Sequence, residues 1–247
     1  MMHWVEAIGA FALAACRNMG GLLVLGLRSI VAFVLLRFRW KELVHALYDA
    51  YFVSVVRLLA VFFVTGLAMG AGVAFAVRPT GAVSLVGFAV GYASLNEVVP
   101  VFAGIVFAVT VVTRNTIILH RSPPWWVNDS NFTTARRFLA GRVLGMALAL
   151  PFVALPGCLL LLAGAAIAGT YVGVSLTAFQ ESFLQNIHTV DFLRGLVKMF
   201  VFGFLASVAS HYFGLKTDLP SRAVENAVSV TVAGLILLNF LLTFALS

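Results

Sequence analysis

Hydrophobic positions in this chain fall in long unbroken stretches, with neither the alternation of half-buried strands nor the narrow stripes of soluble helices. Six stretches can be read, at about 8–35, 50–77, 82–113, 143–170, 195–215 and 226–246. The last five each reach the roughly 20 residues a helix needs to cross a bilayer. Polar positions collect between them, in 37–41, 114–142, 171–194 and 216–222. The pattern predicts an all-α polytopic membrane protein. The first stretch carries Glu6, Arg17, Asn18 and Arg28, which suits a helix lying in the interface. A crossing helix stays open there, and only the side of the N-terminus depends on it. The expected architecture is an N-terminal interfacial helix plus five transmembrane helices, in one membrane domain over residues 1–247. The interfacial helix and a basic linker take 1–41.

Charge sets the expected orientation. Arg37, Arg39, Lys41, Arg114, Arg121, Arg136, Arg137, Arg142, Lys216 and Arg222 fall in one set of alternating loops. Arg78 and Arg194 fall in the other, with Lys198 at a span edge. Cytoplasmic loops carry the excess of Lys and Arg. The N-terminus and loop 114–142 are therefore expected in the cytoplasm, and segment 171–194 and the C-terminus outside it. Segment 171–194 holds Gln180, Glu181, Gln185 and Asn186, polar enough for a short surface helix. In loop 114–142, Pro123-Pro124 breaks any helix, and Trp125 and Trp126 favour an interfacial position.

Composition narrows the function. Of 247 residues, 62% are hydrophobic and 10% charged, against roughly 25% charged in soluble domains. The net charge of +7 belongs to loops beside apolar spans, so it reads as membrane anchoring and not as nucleic-acid binding. Cys16 and Cys158 have no metal-site spacing and make no disulfide framework. Leu13-Ala14-Ala15-Cys16 resembles a lipoprotein cleavage site, but no Lys or Arg precedes it, so Cys16 reads as a small residue on a membrane helix. No phosphate loop occurs, no Gly-x-Ser-x-Gly elbow, and the five His are scattered without zinc spacing. No cofactor or metal is expected.

One residue stands out. Over the 35 residues 79–113 the only charge is Glu97, in Asn96-Glu97-Val98-Val99-Pro100. A carboxylate within a span costs at least about 2.5–3.5 kcal/mol, so it is expected to face protein or a water-filled cavity. Near the middle of its stretch, it is not expected to pair with Arg57, which lies about 10 Å or more away in depth and can snorkel to the headgroups. Gly66-x-x-x-Gly70 and Gly87-x-x-x-Gly91 each put small residues on one helix face. Those faces fit a packed bundle or a homo-oligomer.

The same residues carry a resemblance. Asn96-Glu97-Val98-Val99-Pro100 is similar to an Arg-Glu-Leu-Gly-Pro motif, keeping Glu and Pro. Leu47-Tyr48 with Ser54, Lys198 with Phe202-Gly203, and Tyr212 to Thr217 follow in the matching order. Asn239-Phe240-Leu241-Leu242-Thr243 looks like Asp-Phe-x-x-Thr with Asn for Asp. Together they resemble the MlaE/YrbE family, the permease subunits of ABC-type lipid transporters that work with MCE proteins. The resemblance implies an MlaE-like permease fold in a bacterial inner membrane. It implies a second permease copy or paralogue, an ABC ATPase and an MCE-domain protein as partners. Membrane lipids would follow a pathway at the permease dimer interface. Asn96, Glu97 and Pro100 are the candidates for that pathway or interface. Arg114, Arg121, Arg136 and Arg137 are the candidates for ATPase coupling, in a region where the family carries a Glu-rich helix and this chain has none. That loss motivates the alternative of a non-transporting scaffold that anchors an MCE assembly. A lipid-acting membrane enzyme would need a second catalytic group beside Glu97, and a carrier using Glu97 as its proton site would work without ATP.

Overall fold

The computed structural model describes residues 2–35, 38–80, 82, 85–122, 132–217 and 219–246, and all regular structure among them is helical. Helix α1 is Met2–Val34, α2 Trp40–Val77, α3 Val86–Arg121, α4 Phe132–Val172, α5 Leu176–Asn186, α6 Thr189–Lys216 and α7 Pro220–Leu246. Six of them are long and apolar enough to cross a membrane, by length and composition, and the segment Cys16–Val34 of α1 is one of these. The short helix expected in segment 171–194 is α5, with Gln180, Glu181, Gln185 and Asn186 exposed and Phe179 and Ser182 turned inward.

The helices run longer than the apolar stretches. α3 continues eight residues past Thr113 to Arg121, because nothing breaks it before Pro123-Pro124. α4 begins eleven residues ahead of 143. Arg114 and Arg142 therefore stand inside helices, and the region read as loop 114–142 is mostly helical. Pro123, Pro124, Trp125 and Trp126 lie outside the described residues. Glu97 also shifts off centre: with α3 extended at the basic end, it lies closer to Val86 than to Arg121.

The tightest seam is between α2 and α4, which run parallel. A Cβ on Gly66 would collide with the Leu161 carbonyl, and one on Gly70 with the Ala165 carbonyl. From the other side Gly145 abuts the Leu43 carbonyl, and Gly164 the Phe63 carbonyl. Without a hydrophobic effect between helices in lipid, such backbone approach supplies the packing. Gly87 meets the backbone of Phe179 and Gly91 the Phe183 ring, both on α5. Both small-residue faces are thus used within one chain. Pro151 and Pro156 lie inside α4, where neighbouring helices offset lost helical hydrogen bonds.

A core led by Leu58, Phe62, Phe107, Leu150, Leu161, Phe202 and Leu235 joins α2, α3, α4, α6 and α7. α3 and α6 run parallel, Gly195 beside Leu95 and Gly214 beside Leu119. α7 returns antiparallel to α6, beginning with Pro220 at its first turn, where its missing N–H costs nothing. α1 crosses the outside of α6, with Gly21 under the Tyr212 ring and Gly26 against Phe204.

Candidate functional site

Glu97 lies in a π-helical turn, Ser94–Val98, with Pro100 just beyond it. Proline has no N–H, so the carbonyl of Asn96, four residues back, loses its helical donor. Single π-turns within α-helices often mark functional positions. The freed carbonyl accepts from Lys198 Nζ at 2.7 Å.

Lys198 reaches three partners. It donates to Asn96 O, to Glu97 Oε1 at 2.9 Å and to Thr243 Oγ1 at 2.8 Å. An ammonium has three N–H bonds, and all three are engaged. The side chain is 2% exposed. The expectation that placed Lys198 at a span edge is corrected. The apolar wall of α6 conceals that it points across the bundle, where an acid and a free carbonyl await it.

Glu97 is correspondingly no lone charge. Its Oε1 accepts from Lys198 and Thr243, and its Oε2 from Asn239 Nδ2 at 2.6 Å. The Thr243 hydroxyl also lies 2.8 Å from the Asn239 carbonyl, so its one proton is shared between two acceptors. The cluster ties α3, α6 and α7 together. An ion pair inside a membrane protein spares each partner the cost of an isolated charge. The Glu97 side chain is still 41% exposed in the single chain, and it opens beside the apolar α7 face of Phe240, Leu241 and Phe244.

The chemistry follows from saturation. A protonated lysine with all three N–H bonds engaged is neither a base nor a nucleophile while it holds them. The cluster braces three helices and presents a neutral, polar edge. The two departures from the motif pattern balance here. Asn96 stands for an Arg and Asn239 for an Asp, so one positive and one negative charge are absent together, and the Glu97–Lys198 pair stays neutral.

Of the other candidates, Asn96 is buried, its Nδ2 donating to the Tyr92 carbonyl at 3.2 Å. Pro100 is buried against the core. Arg121 is exposed in the last turn of its helix, where a cation favours the helix dipole. Arg137 is exposed, and the side chain of Arg136 lies outside the described residues. Arg114 is apart from both, lining a cavity with Asp49, Asn115, Arg142 and His211. Arg57 is on the exposed face of α2. Asp49 and His211 went unread in the sequence, since each is isolated in its own span and only the packing brings them together.

Residues 130–247 match the family described as Permease MlaE. Among similar curated proteins, a probable ABC transporter permease protein of Rickettsia typhi is 29% identical over 107 residues, 41% of this chain and 41% of the relative. Counterparts in Rickettsia prowazekii and Rickettsia felis are each 28% identical over the same length. The chain thus spans well under half the length of the curated relatives it matches. Lys198, Asn239 and Thr243 fall within the family match, and Glu97 precedes it. Residues 130–247 are therefore similar to the MlaE permease family, and they sit in an all-helical, polytopic chain.

Proposed function

We propose that the chain is the transmembrane permease subunit of an ABC-type lipid transporter, with a lipid pathway at the interface between two permease copies or paralogues. The observation that carries this reading is the cluster of Glu97, Lys198, Asn239 and Thr243, half open beside the exposed apolar residues Phe240 and Leu241 of α7. An apolar groove of about 690 Å³, walled by Leu95, Leu159, Phe183 and Phe192, lies on the same half of the bundle and suits an acyl chain. In this reading Asn96, Glu97 and Pro100 brace the interface, an ABC ATPase docks near Arg114, Arg121, Arg136 and Arg137, and an MCE-domain protein caps the other side. The membrane is a bacterial inner membrane, with the basic helix ends cytoplasmic and the end of α7 outside. ATP hydrolysis belongs to the ATPase chain.

The placement of α1 in the interface draws support from its contacts. Asn18 meets Tyr212 and Lys216 at the basic end of α6. Ala32 packs with Phe38, Leu43 and Ala140 near the basic ends of α2 and α4. Both ends of the apolar segment thus lie near one end of the bundle, while its middle, at Gly26, reaches Phe204 halfway along α6.

The test is lipid transport between vesicles by the chain with its co-purified partners. Glu97→Ala is expected to abolish transport and Glu97→Gln to weaken it. Wild-type rates in both, with normal folding, would sink this reading. The scaffold alternative rests on the absence of glutamate in the arginine-lined segment. A stable native complex that contains an MCE protein but no ATPase would favour it.

A further inference from the structure

The Glu97 cluster is open on one side, and the hydrogen-bonding capacity it leaves unused limits the head group it can accept. Lys198 is buried, and its three N–H bonds end on Asn96 O, Glu97 Oε1 and Thr243 Oγ1. The Glu97 side chain is 41% exposed, and Thr243 is exposed beside it. The carboxylate therefore screens the ammonium. A group arriving from the open side meets the anion first.

What is left over is mostly acceptor. A carboxylate accepts about four hydrogen bonds, and Glu97 takes three, from Lys198, Thr243 and Asn239. One lone pair remains there and one on the Thr243 hydroxyl, whose own proton is shared between Glu97 and the Asn239 carbonyl. On the donor side Asn239 has one further amide N–H, which is neutral. Arg194 stands one turn before Lys198 on the same face of α6, and it is ion-paired with Asp191 at 3.8 Å. Among the described residues each cation on this face of α6 thus has its own carboxylate, and the edge carries no net charge.

A phosphate at this edge would lie against Glu97 with no uncommitted cation to offset it, and like charges in contact repel strongly where water is scarce. An ammonium would gain Glu97 but stand beside Lys198, whose charge that carboxylate already balances. A zwitterion meets both objections. A hydroxyl meets neither, because it donates one neutral hydrogen bond to a free lone pair. Thr243 stands three residues before the end of α7 at Leu246, about 5 Å along the axis. Leu237, Phe240, Leu241 and Phe244 are exposed around it, so a head bonded at the cluster leaves its apolar body lying along α7.

We propose that the open edge of this cluster selects an apolar molecule whose head is a neutral hydroxyl, such as a sterol-like alcohol or a diacylglycerol, and rejects phosphate-bearing lipids. The assignment rests on the permease reading and narrows its cargo. It places the discriminating contact at Glu97 and Thr243, with Lys198 holding Glu97 in position.

The experiment places the full chain with its co-purified partners in phosphatidylcholine nanodiscs. Each preparation carries one diazirine probe at the same mole fraction: cholesterol, dioleoylglycerol, phosphatidylethanolamine or phosphatidylglycerol. After irradiation, labelled peptides are quantified by mass spectrometry. The α7 peptide that contains Phe240 and Phe244 is expected to take up at least one of the two alcohols roughly tenfold more than either phospholipid, the effect of one hydrogen bond to a charged acceptor. A preference for only one alcohol supports the proposal and identifies the source of the hydroxyl. Glu97→Gln removes the repulsion and brings the ratio toward one, while Tyr171→Phe, on the exposed end of α4, keeps it. If Glu97→Gln does not fold, the wild-type comparison of the four probes decides. Equal labelling by all four, or an excess of either phospholipid, overturns the head-group proposal and leaves the permease reading standing. No labelling of α7 by any probe overturns the proposal and the lipid pathway together.

Discussion

Lys198 donates to the Asn96 carbonyl at 2.7 Å, and that carbonyl is available because Pro100, four residues on, has no N–H to offer it. A helix-breaking residue on α3 and a cation on α6 are thus complementary parts of one joint. The π-turn at Ser94–Val98 places Glu97 beside the same ammonium. Several consequences can be measured.

Removing the cation strands its partners. Lys198→Met leaves Glu97 and the Asn96 carbonyl without their common donor, and is expected to cost about 2–4 kcal/mol. Glu97→Gln keeps an acceptor for Lys198 and is expected to cost less. Unfolding of the purified chain in detergent gives both values. The double variant is expected to show a coupling of at least about 1 kcal/mol, and additive single effects would show that the two side chains do not act as a pair.

Restoring an N–H at position 100 separates stability from geometry. Pro100→Ala removes a residue that is about 3 kcal/mol unfavourable in a helix interior, so thermal stability is expected to hold or rise. The new amide competes with Lys198 for the Asn96 carbonyl and relaxes the π-turn. Lipid transport is expected to fall several-fold. An unchanged transport rate would show that the π-turn does not matter to function.

The charge balance at Asn96 and Asn239 can be broken and repaired. Asn239→Asp puts a second carboxylate where an amide now donates 2.6 Å from Glu97 Oε2, and like charges at that distance cannot both stay ionised. The single variant is expected to lower the melting temperature clearly. Adding Asn96→Arg supplies the compensating cation and is expected to recover most of the loss. A double variant no better than Asn239→Asp alone would refute the compensation.

The glycines of α2 are not equivalent. Gly66→Ala drives a Cβ into the Leu161 carbonyl, whereas Gly72→Ala meets open space. The first is expected to destabilise by about 1–3 kcal/mol through overpacking, and the second to be neutral or stabilising by up to about 1 kcal/mol. Melting curves of the two variants side by side check the order, which would reverse if α2 and α4 were not in backbone contact.

Long apolar stretches and basic connections are properties of composition and local order, and they suffice for the all-helical membrane class. Helix ends were less legible. An apolar stretch stops at its first charge, but a helix stops only at a breaker or a cap, which is why α3 runs on through Arg114 to Arg121. The small-residue faces at Gly66 and Gly87 announced close contact without naming the partner.

An all-helical membrane chain with a costly acid in one span can be read from residue order alone, because periodicity, length and burial cost depend only on neighbours along the chain. What that acid meets is a matter of packing. Glu97, Lys198, Asn239 and Thr243 are far apart in sequence and share no pattern, and their pairing depends on how α3, α6 and α7 pack in depth and rotation. The same holds for Asp49 on α2 and His211 on α6, which line one cavity because both helices pack against α4.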